Sequence, residues 1–330
     1  MEKIKLYLFA IIIGLGFSAC DPGEEPIEYV EETPEGPGSV QQTTIEQGSN
    51  YNTQVWFSLT NSEVIYSNDK YIWNLEFASI NNGGFVKVNG ATFMTVAQTN
   101  STDFNASYSA GDYSFYGDPQ SGNPDSLKIG YPANVVDQVF LVHLGTDNEG
   151  NPLDYLKIQF TAVYQDHVEF QWSVLGESTV NTVSVSLNQT ERTIYSFTSN
   201  SVLDQFPNSE EWDLCFTQYT RWYPDPAFQF DYLVNGVLSN MDRIQVAEVF
   251  DMPFDSISIE TAESLNYSID RNTIGFDWKY YSFDSQLYEI LDYRNYVVQT
   301  AEGNYYKLHF IDFYSTQGEA GYPLMEWQKL

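Results

Sequence analysis

The side chains that most often perform nucleophilic or metal chemistry are scarce in this sequence. Its three histidines, His143, His167 and His309, do not stand at metal-ligand spacing from one another, and no H-E-x-x-H motif occurs. We expect each of them to be a polar residue on the face of a strand. The only cysteines are Cys20 and Cys215, so no zinc site with several thiolates can form. We expect Cys215 to be a buried structural thiol, because a nucleophilic thiolate needs electropositive surroundings.

Carboxylates, by contrast, are abundant: the chain has 45 Asp and Glu, 14 Lys and Arg, and a net charge of −31. This charge disfavours nucleic acid and anionic membranes as partners. A glycosidase needs only two carboxylates, and the sequence cannot single out a pair. The acidic loop 147–151, with Asp154, is shorter than a calcium-binding EF-hand loop, and a plain hairpin turn is the preferred interpretation. Glycine-rich nucleotide loops and G-x-S-x-G are absent, so we predict a protein that is not an enzyme.

The N-terminus has the features of a bacterial lipoprotein signal. Two lysines precede an apolar run at residues 6–16, which is too short to cross a membrane comfortably. The run ends in Phe-Ser-Ala-Cys at residues 17–20, which resembles a lipobox. We therefore expect residues 1–19 to be removed and Cys20 to carry the lipid anchor, so that lipid alone attaches the protein to a membrane.

Residues 20–50 are rich in Glu and Pro and contain no Lys or Arg. Prolines and mutually repelling charges favour an extended tether between the anchor and a folded domain. An acidic stretch directly after the lipidated cysteine also resembles the export signal of surface lipoproteins in the Bacteroidota. This resemblance implies an outer-membrane lipoprotein exposed at the cell surface; a spacer facing the periplasm is the alternative.

Beyond the tether, the sequence repeats itself. In each half, an aromatic motif is followed 17 residues later by a second aromatic motif. Further along each half, a Glu-Gly-Asn turn precedes a strand, and these two strands also match each other. The matching segments are 56–58 with 195–197, 73–77 with 212–216, 155–160 with 305–310, and 170–172 with 325–327. Four anchors in the same order predict an internal duplication.

The local patterns are those of antiparallel strands. Segments 139–144 and 155–163, joined by the turn at 145–151, predict a hairpin, and segments 296–300 and 305–313 predict another. No stretch of a dozen residues has sustained helical periodicity, so helices should be short. We predict an all-β fold with two antiparallel β-sheet domains, near residues 51–182 and 183–330.

Several segments of the second half resemble the HmuY family, and the first half resembles it more faintly through the duplication. The segments are 211–217, 232–240, 305–310 and 318–323. That family consists of lipid-anchored, all-β haem-binding lipoproteins of Bacteroidota that work with an outer-membrane receptor in haem capture. The resemblance thus implies haem or porphyrin as ligand and such a receptor as a partner.

One departure from the family pattern concerns the iron ligands. Founding members hold haem between two His or Met side chains in the middle of the domain, whereas this sequence has no histidine between Trp212 and Lys307. Met241 and Met252 are the soft ligands that this stretch offers, so the resemblance makes them the candidate axial ligands of a haem iron. The first half offers Met94 and His143. Met252 could equally fill a gap in the core, as methionines often do.

Two classes of function are therefore open. In the first, the protein binds haem or another porphyrin at the cell surface. In the second, it is a binding or adhesion lipoprotein without haem, which recognises a glycan, a peptide or a protein through exposed Tyr and Trp side chains.

Overall fold

Antiparallel β-sheets make up most of the structure, a computed structural model that describes residues 38–223 and 230–330. The all-β prediction is confirmed. The predicted signal peptide, Cys20 and tether residues 20–37 lie outside the described residues. Within the described part, the one α-helix has five residues, so the expectation of short helices is confirmed as well. No helix in these two stretches has the length and apolar character needed to cross a bilayer.

The first half of the chain contributes nine strands. They are β1 (Gln41–Thr44), β2 (Thr53–Ser58), β3 (Glu63–Asp69), β4 (Leu75–Phe77), β5 (Val86–Val88), β6 (Thr95–Gln98), β7 (Val139–His143), β8 (Tyr155–Val163) and β9 (His167–Val174). Short 3-10 helices lie at Lys70–Ile72, Gly90–Thr92, Ala110–Asp112, Pro124–Ser126 and Pro132–Asn134.

The described part of the second half contributes eleven strands and one α-helix. The strands are β10 (Asn181–Ser186), β11 (Thr193–Ser196), β12 (Ser201–Leu203), β13 (Leu214–Tyr223), β14 (Phe230–Ser239), β15 (Ile244–Phe250), β16 (Lys279–Ser282), β17 (Leu287–Ile290), β18 (Arg294–Thr300), β19 (Tyr305–Tyr314) and β20 (Ala320–Lys329). Helix α1 (Ile259–Glu263) and a 3-10 helix at Phe254–Ser256 follow β15.

Alternation of apolar and polar residues explains the longer strands. In β19, Tyr306, Leu308 and Phe310 point into a core, as the period of two predicts. Both predicted hairpins are present, as β7–β8 and β18–β19. Gly150 and Gly303 of the two Glu-Gly-Asn turns have φ of 82° and 84°, a conformation that glycine adopts without strain.

The strands form two sandwiches of the same design. One five-stranded sheet has the order β1-β20-β19-β18-β15, and its core faces the four-stranded sheet β14-β13-β2-β3. The other five-stranded sheet, β10-β9-β8-β7-β6, faces the sheet β12-β11-β4-β5. Strands β16 and β17 form a separate hairpin in the second half alone.

The halves exchange their first strands. Strand β1 pairs with β20 and β2 pairs with β13 of the second half, and β3 joins the same sheet beside β2. Conversely, β10 and β11 of the second half pair with β9 and β4 of the first. Ile45 and Phe57 accordingly lie in the core of the second half, and Tyr195 and Phe197 lie in the core of the first. Each sandwich is complete only with strands from both halves.

This exchange corrects two predictions. The division at residue 182/183 separates the repeats in sequence, but both cores and four of the sheets run across it, and the described residues between 38 and 330 form one compact unit. The tether also ends earlier than residue 50, because β1 pairs with β20 and Ile45 is fully buried. Strand pairing between distant segments overrode the local composition.

The structure supports the duplication but shifts one predicted match by a residue: Phe57, and not Trp56, takes the place of Tyr195. The N–H of Asn74 donates to the carbonyl of Tyr195, and the N–H of Asp213 donates to the carbonyl of Phe57, both at 2.9 Å. The side-chain amides of Asn89 and Asn240 donate to the carbonyls of the two matching tryptophans, again at 2.9 Å in each half. Equivalent hydrogen bonds therefore hold the exchanged strands in place in both halves.

The duplicated tryptophans are both buried: Trp73 is 8% exposed and Trp212 is 2% exposed. Trp212 packs with Cys215 and Trp56, on the side of β13 opposite Leu214 and not beside it. The strand begins only at Leu214, so the alternation does not extend back to Trp212.

Candidate ligand-binding site

The two predicted axial ligands lie at opposite ends of one strand. Met241 precedes β15 and Met252 follows it, and the seven residues of this strand span roughly 20 Å at about 3.3 Å per residue. Two axial ligands must reach the same iron atom from opposite sides. The geometry of β15 therefore does not support Met241 and Met252 as joint ligands of one haem, and their role stays a prediction.

Packing explains Met252 without a metal. It fills a gap beside Val249, Ile257 and Val297, which is the structural role considered above. Met241 is half-buried in the turn between β14 and β15, close to Gly122.

The three histidines lie on strand faces, as expected. His143 is half-buried and stacks on Tyr155 with ring centroids 4.3 Å apart, and burial lowers the pKa of its imidazole. His167 contacts the carboxylate of Asp166, and His309 stacks on Phe254. Within the described ranges, no three His, Cys, Asp or Glu residues converge where they could hold a metal ion.

Two other candidates also have structural roles. Cys215 is 2% exposed, and burial raises the pKa of its thiol to about 12, so it is a poor nucleophile. In the acidic loop, Asp147 accepts hydrogen bonds from the backbone and the side chain of Asn151 at 2.8 and 2.9 Å. These bonds stabilise the loop 147–151 as a hairpin turn. They also occupy the carboxylate oxygens of Asp147, which a calcium ion would need as ligands.

An exposed aromatic surface lies where β13 ends and β14 begins. We call Tyr223, Phe230 and Tyr232 the aromatic face. Tyr223 is paired with Phe230, and Tyr232 with Arg221, so all four side chains lie on the same side of the sheet. The ring centroids within the face are 5.5 to 5.9 Å apart, and the rings of Tyr223 and Phe230 are stacked. Tyr223 is 39% exposed and Phe230 is 51% exposed, so the face offers rings to a ligand.

A guanidinium group borders the aromatic face. Arg221 lies 4.6 Å above the ring of Phe276 and forms no ion pair with any described residue. It also lines a cleft of about 320 Å³, together with Tyr219 and Arg294. Arg294 is held in place by the carboxylates of Glu248 and Asp277. The charge of Arg221 is thus available to a ligand, whereas that of Arg294 is neutralised.

This arrangement suits a flat apolar ligand that carries an acid group. Aromatic rings pack against planar ring systems, and a free guanidinium binds carboxylates. Sequence analysis did not single out these residues. The sequence feature that could have indicated them is the run Arg221-Trp222-Tyr223, in which two large aromatic residues follow an arginine at the end of β13.

The described fold is all-β, and the aromatic face lies exposed on it. The family model described as HmuY protein matches residues 220–327, which extend from the aromatic face to β20. This part of the chain is therefore similar to the HmuY family, as the second-half motifs indicated, and the match supports a ligand-binding protein.

Comparison with solved structures finds weak similarities at low sequence identity. Apo PinO from Porphyromonas gingivitis is 8% identical, with a TM-score of 0.29, over 88% of this chain and 97% of its own. The apo HmuY analog of Tannerella forsythia is 9% identical, with a TM-score of 0.26, over 89% of this chain and 98% of its own. No curated protein matches the chain.

Proposed function

We propose that this protein is a HmuY-like lipoprotein of the outer-membrane surface that binds haem or a related porphyrin on the aromatic face. The observation that carries the proposal is the exposed group of stacked rings beside Arg221, which forms no ion pair with any described residue. A porphyrin presents a flat apolar ring to Tyr223 and Phe230, and its propionate groups present carboxylates to Arg221. The protein binds and does not catalyse.

The proposal differs from the family pattern in how the ligand is held. The aromatic face and Arg221 include no thioether or imidazole, the two ligand types expected from the family. Stacking and charge, not an iron bond to Met241 or Met252, would supply the binding energy. An iron-free porphyrin should therefore bind about as tightly as haemin.

Anchoring and location remain part of the proposal. Lipid on Cys20 would hold the protein at the membrane, and an outer-membrane receptor would take over the ligand. Replacing Cys20 by Ala should release the protein from the membrane fraction, because the apolar run at 6–16 is too short to hold it.

Fluorescence titration with iron-free protoporphyrin tests the proposed site. The wild-type protein should bind it, and Arg221→Gln should weaken binding by about tenfold, since a charged hydrogen bond contributes about 1.5–3 kcal/mol. Tyr164→Ala, which removes a tyrosine that is 51% exposed at the β8–β9 turn, is the matched control and should change nothing. Equal affinity in the wild type and Arg221→Gln would contradict the assignment of the site.

A second candidate function is recognition of a protein, peptide or glycan through the β16–β17 hairpin. Phe283 at its turn is 87% exposed, and Tyr280, Tyr281 and Leu287 are each at least 44% exposed. Exposed apolar groups of this size often mark interaction surfaces. If no porphyrin binds, this hairpin becomes the favoured binding surface.

A further inference from the structure

A small cavity lies where the exchanged strands of the two halves meet. It has a volume of about 70 Å³. Its walls come from β2, β4 and β5 of the first half, the segment 118–122, β13 of the second half, and Arg271. One buried water needs a cavity volume of roughly 10–15 Å³, so this cavity has room for several waters or one small ion.

The free hydrogen-bonding groups in this cavity are donors. Lys87 is only 8% exposed, and its ammonium contacts a single partner among the described residues, the carboxylate of Glu76 at 2.5 Å. An ammonium has three N–H donors, so two remain. The guanidinium of Arg271, at the mouth of the cavity, has no hydrogen bond or ion pair to any residue in the described ranges.

The acceptors that line the cavity are already engaged. The carboxylate of Glu76 faces Lys87 on one oxygen and Arg192 on the other, at 3.9 Å. Asp118 accepts the backbone N–H groups of Val88 and Lys128 at 2.8 Å each, one on each oxygen. The cavity can therefore offer hydrogen bonds to a ligand but can hardly accept them.

Three cations surround Glu76, and the carboxyl of Asp242 also interacts with them. Burial raises the pKa of this carboxyl, but the charges of Lys87, Arg192 and Arg271 outweigh burial and hold the pKa at about 2. A buried cation without a full set of partners is costly, so a bound anion would stabilise this group of cations.

The backbone holds Arg271 in position. Its N–H donates to the carbonyl of Ser121 at 3.0 Å, and its carbonyl accepts from the N–H of Ser239 at 2.7 Å. The Cδ of Arg271 passes where a Cβ on Gly122 would lie, at 2.5 Å. Only glycine at this position leaves room for the arginine to reach the cavity.

We propose that this cavity binds a small oxyanion, a carboxylate or phosphate group, between Lys87 and Arg271. The site is separate from the aromatic face and does not depend on the proposed porphyrin binding. A bound anion would also explain why three cations lie close together between the two halves of an acidic chain.

Calorimetric titration with sodium acetate and, separately, with inorganic phosphate tests the proposal at constant ionic strength. One of the two should bind at one site per chain, and the stronger ligand identifies the group that the cavity prefers. Arg271→Gln should weaken binding by about tenfold, and Arg271→Lys, which keeps the charge, should weaken it less. Lys157→Gln is the matched control, since it removes a cation that does not line the cavity and whose ammonium donates to the carbonyl of Phe104.

Thermal unfolding of each variant establishes that it is folded, and Lys87→Met serves as the second variant if Arg271→Gln does not fold. Absence of binding by both anions would overturn the proposal. Binding that is unchanged in the folded cavity variants would also overturn it, because the anion would then be adventitious.

Discussion

The side chain of Asn74 accepts a hydrogen bond at 2.8 Å from the backbone N–H of Phe197, a residue of the other half. Asp213 does the same for the N–H of Leu59 at 2.7 Å. These two bonds lie at equivalent places in the repeats and join the exchanged strands to the sheets that receive them. The duplication is thus built into one interlocked fold.

Asp213→Ala should destabilise the protein strongly. The side chain of Asp213 is fully buried and also pairs with Arg243 at 2.8 Å, so its loss removes the shortest ion pair of Arg243 and leaves the N–H of Leu59 without a partner. We expect a loss of about 3–5 kcal/mol in the free energy of unfolding, measured by urea denaturation. Asp284→Ala, at an exposed turn, should change it by less than about 0.5 kcal/mol. Equal effects of the two substitutions would refute the structural role of Asp213.

The halves should not fold independently. Cleaving the chain in the exposed segment between Glu177 and Ser178 leaves each part without the strands that complete its own core. We expect the two parts, expressed together, to form a one-to-one complex with native-like thermal unfolding. Light scattering after size exclusion measures this. A part comprising residues 178–330 that unfolds cooperatively on its own, at the temperature of the intact protein, would contradict the exchange.

Ile45→Ala tests the revised end of the tether. Ile45 is fully buried in the core of the second half, so removing its larger side chain should cost about 2–5 kcal/mol of stability. Val40 is 46% exposed, and Val40→Ala should cost less than about 0.5 kcal/mol. Denaturant unfolding compares the two. A negligible effect of Ile45→Ala would support the original prediction that the tether extends to residue 50.

The stability of the protein should rise with pH above neutrality because of Lys279. Burial against Trp278 and Phe313 lowers the pKa of its ammonium from 10.5 to about 7. Between these values the unfolded chain binds the proton and the folded chain does not, so the free energy of unfolding increases with pH. Lys279→Met should flatten this increase, measured as melting temperature against pH. An unchanged slope would mean that Lys279 keeps its proton in the fold.

Much of the fold could be predicted from local pattern. The hairpins β7–β8 and β18–β19 follow from alternation and from glycine turns, and the buried Trp73 and Trp212 follow from the repeat. The exchange of strands could not be predicted, because Phe57 would fit the core of either half. Only the pairing of Phe57 with Leu214, distant in the chain, decides which half it joins.

The candidate site was harder to predict than the fold. Met241 and Met252 are 11 positions apart, and sequence alone does not reveal that a straight strand separates them. The aromatic face joins residues of two strands, and its exposure depends on where the sheet ends. Residue type alone does not distinguish Tyr223, which is exposed, from Tyr195, which is fully buried.

An absorption titration with haemin tests the porphyrin proposal most directly. The wild-type protein should shift the Soret band with saturation at one haemin per chain. The double variant Tyr223→Ala/Phe230→Ala should lose the shift, whereas Met241→Ala/Met252→Ala should keep it. The account is contradicted if the wild type gives no shift, or if the methionine variant loses binding while the aromatic variant retains it.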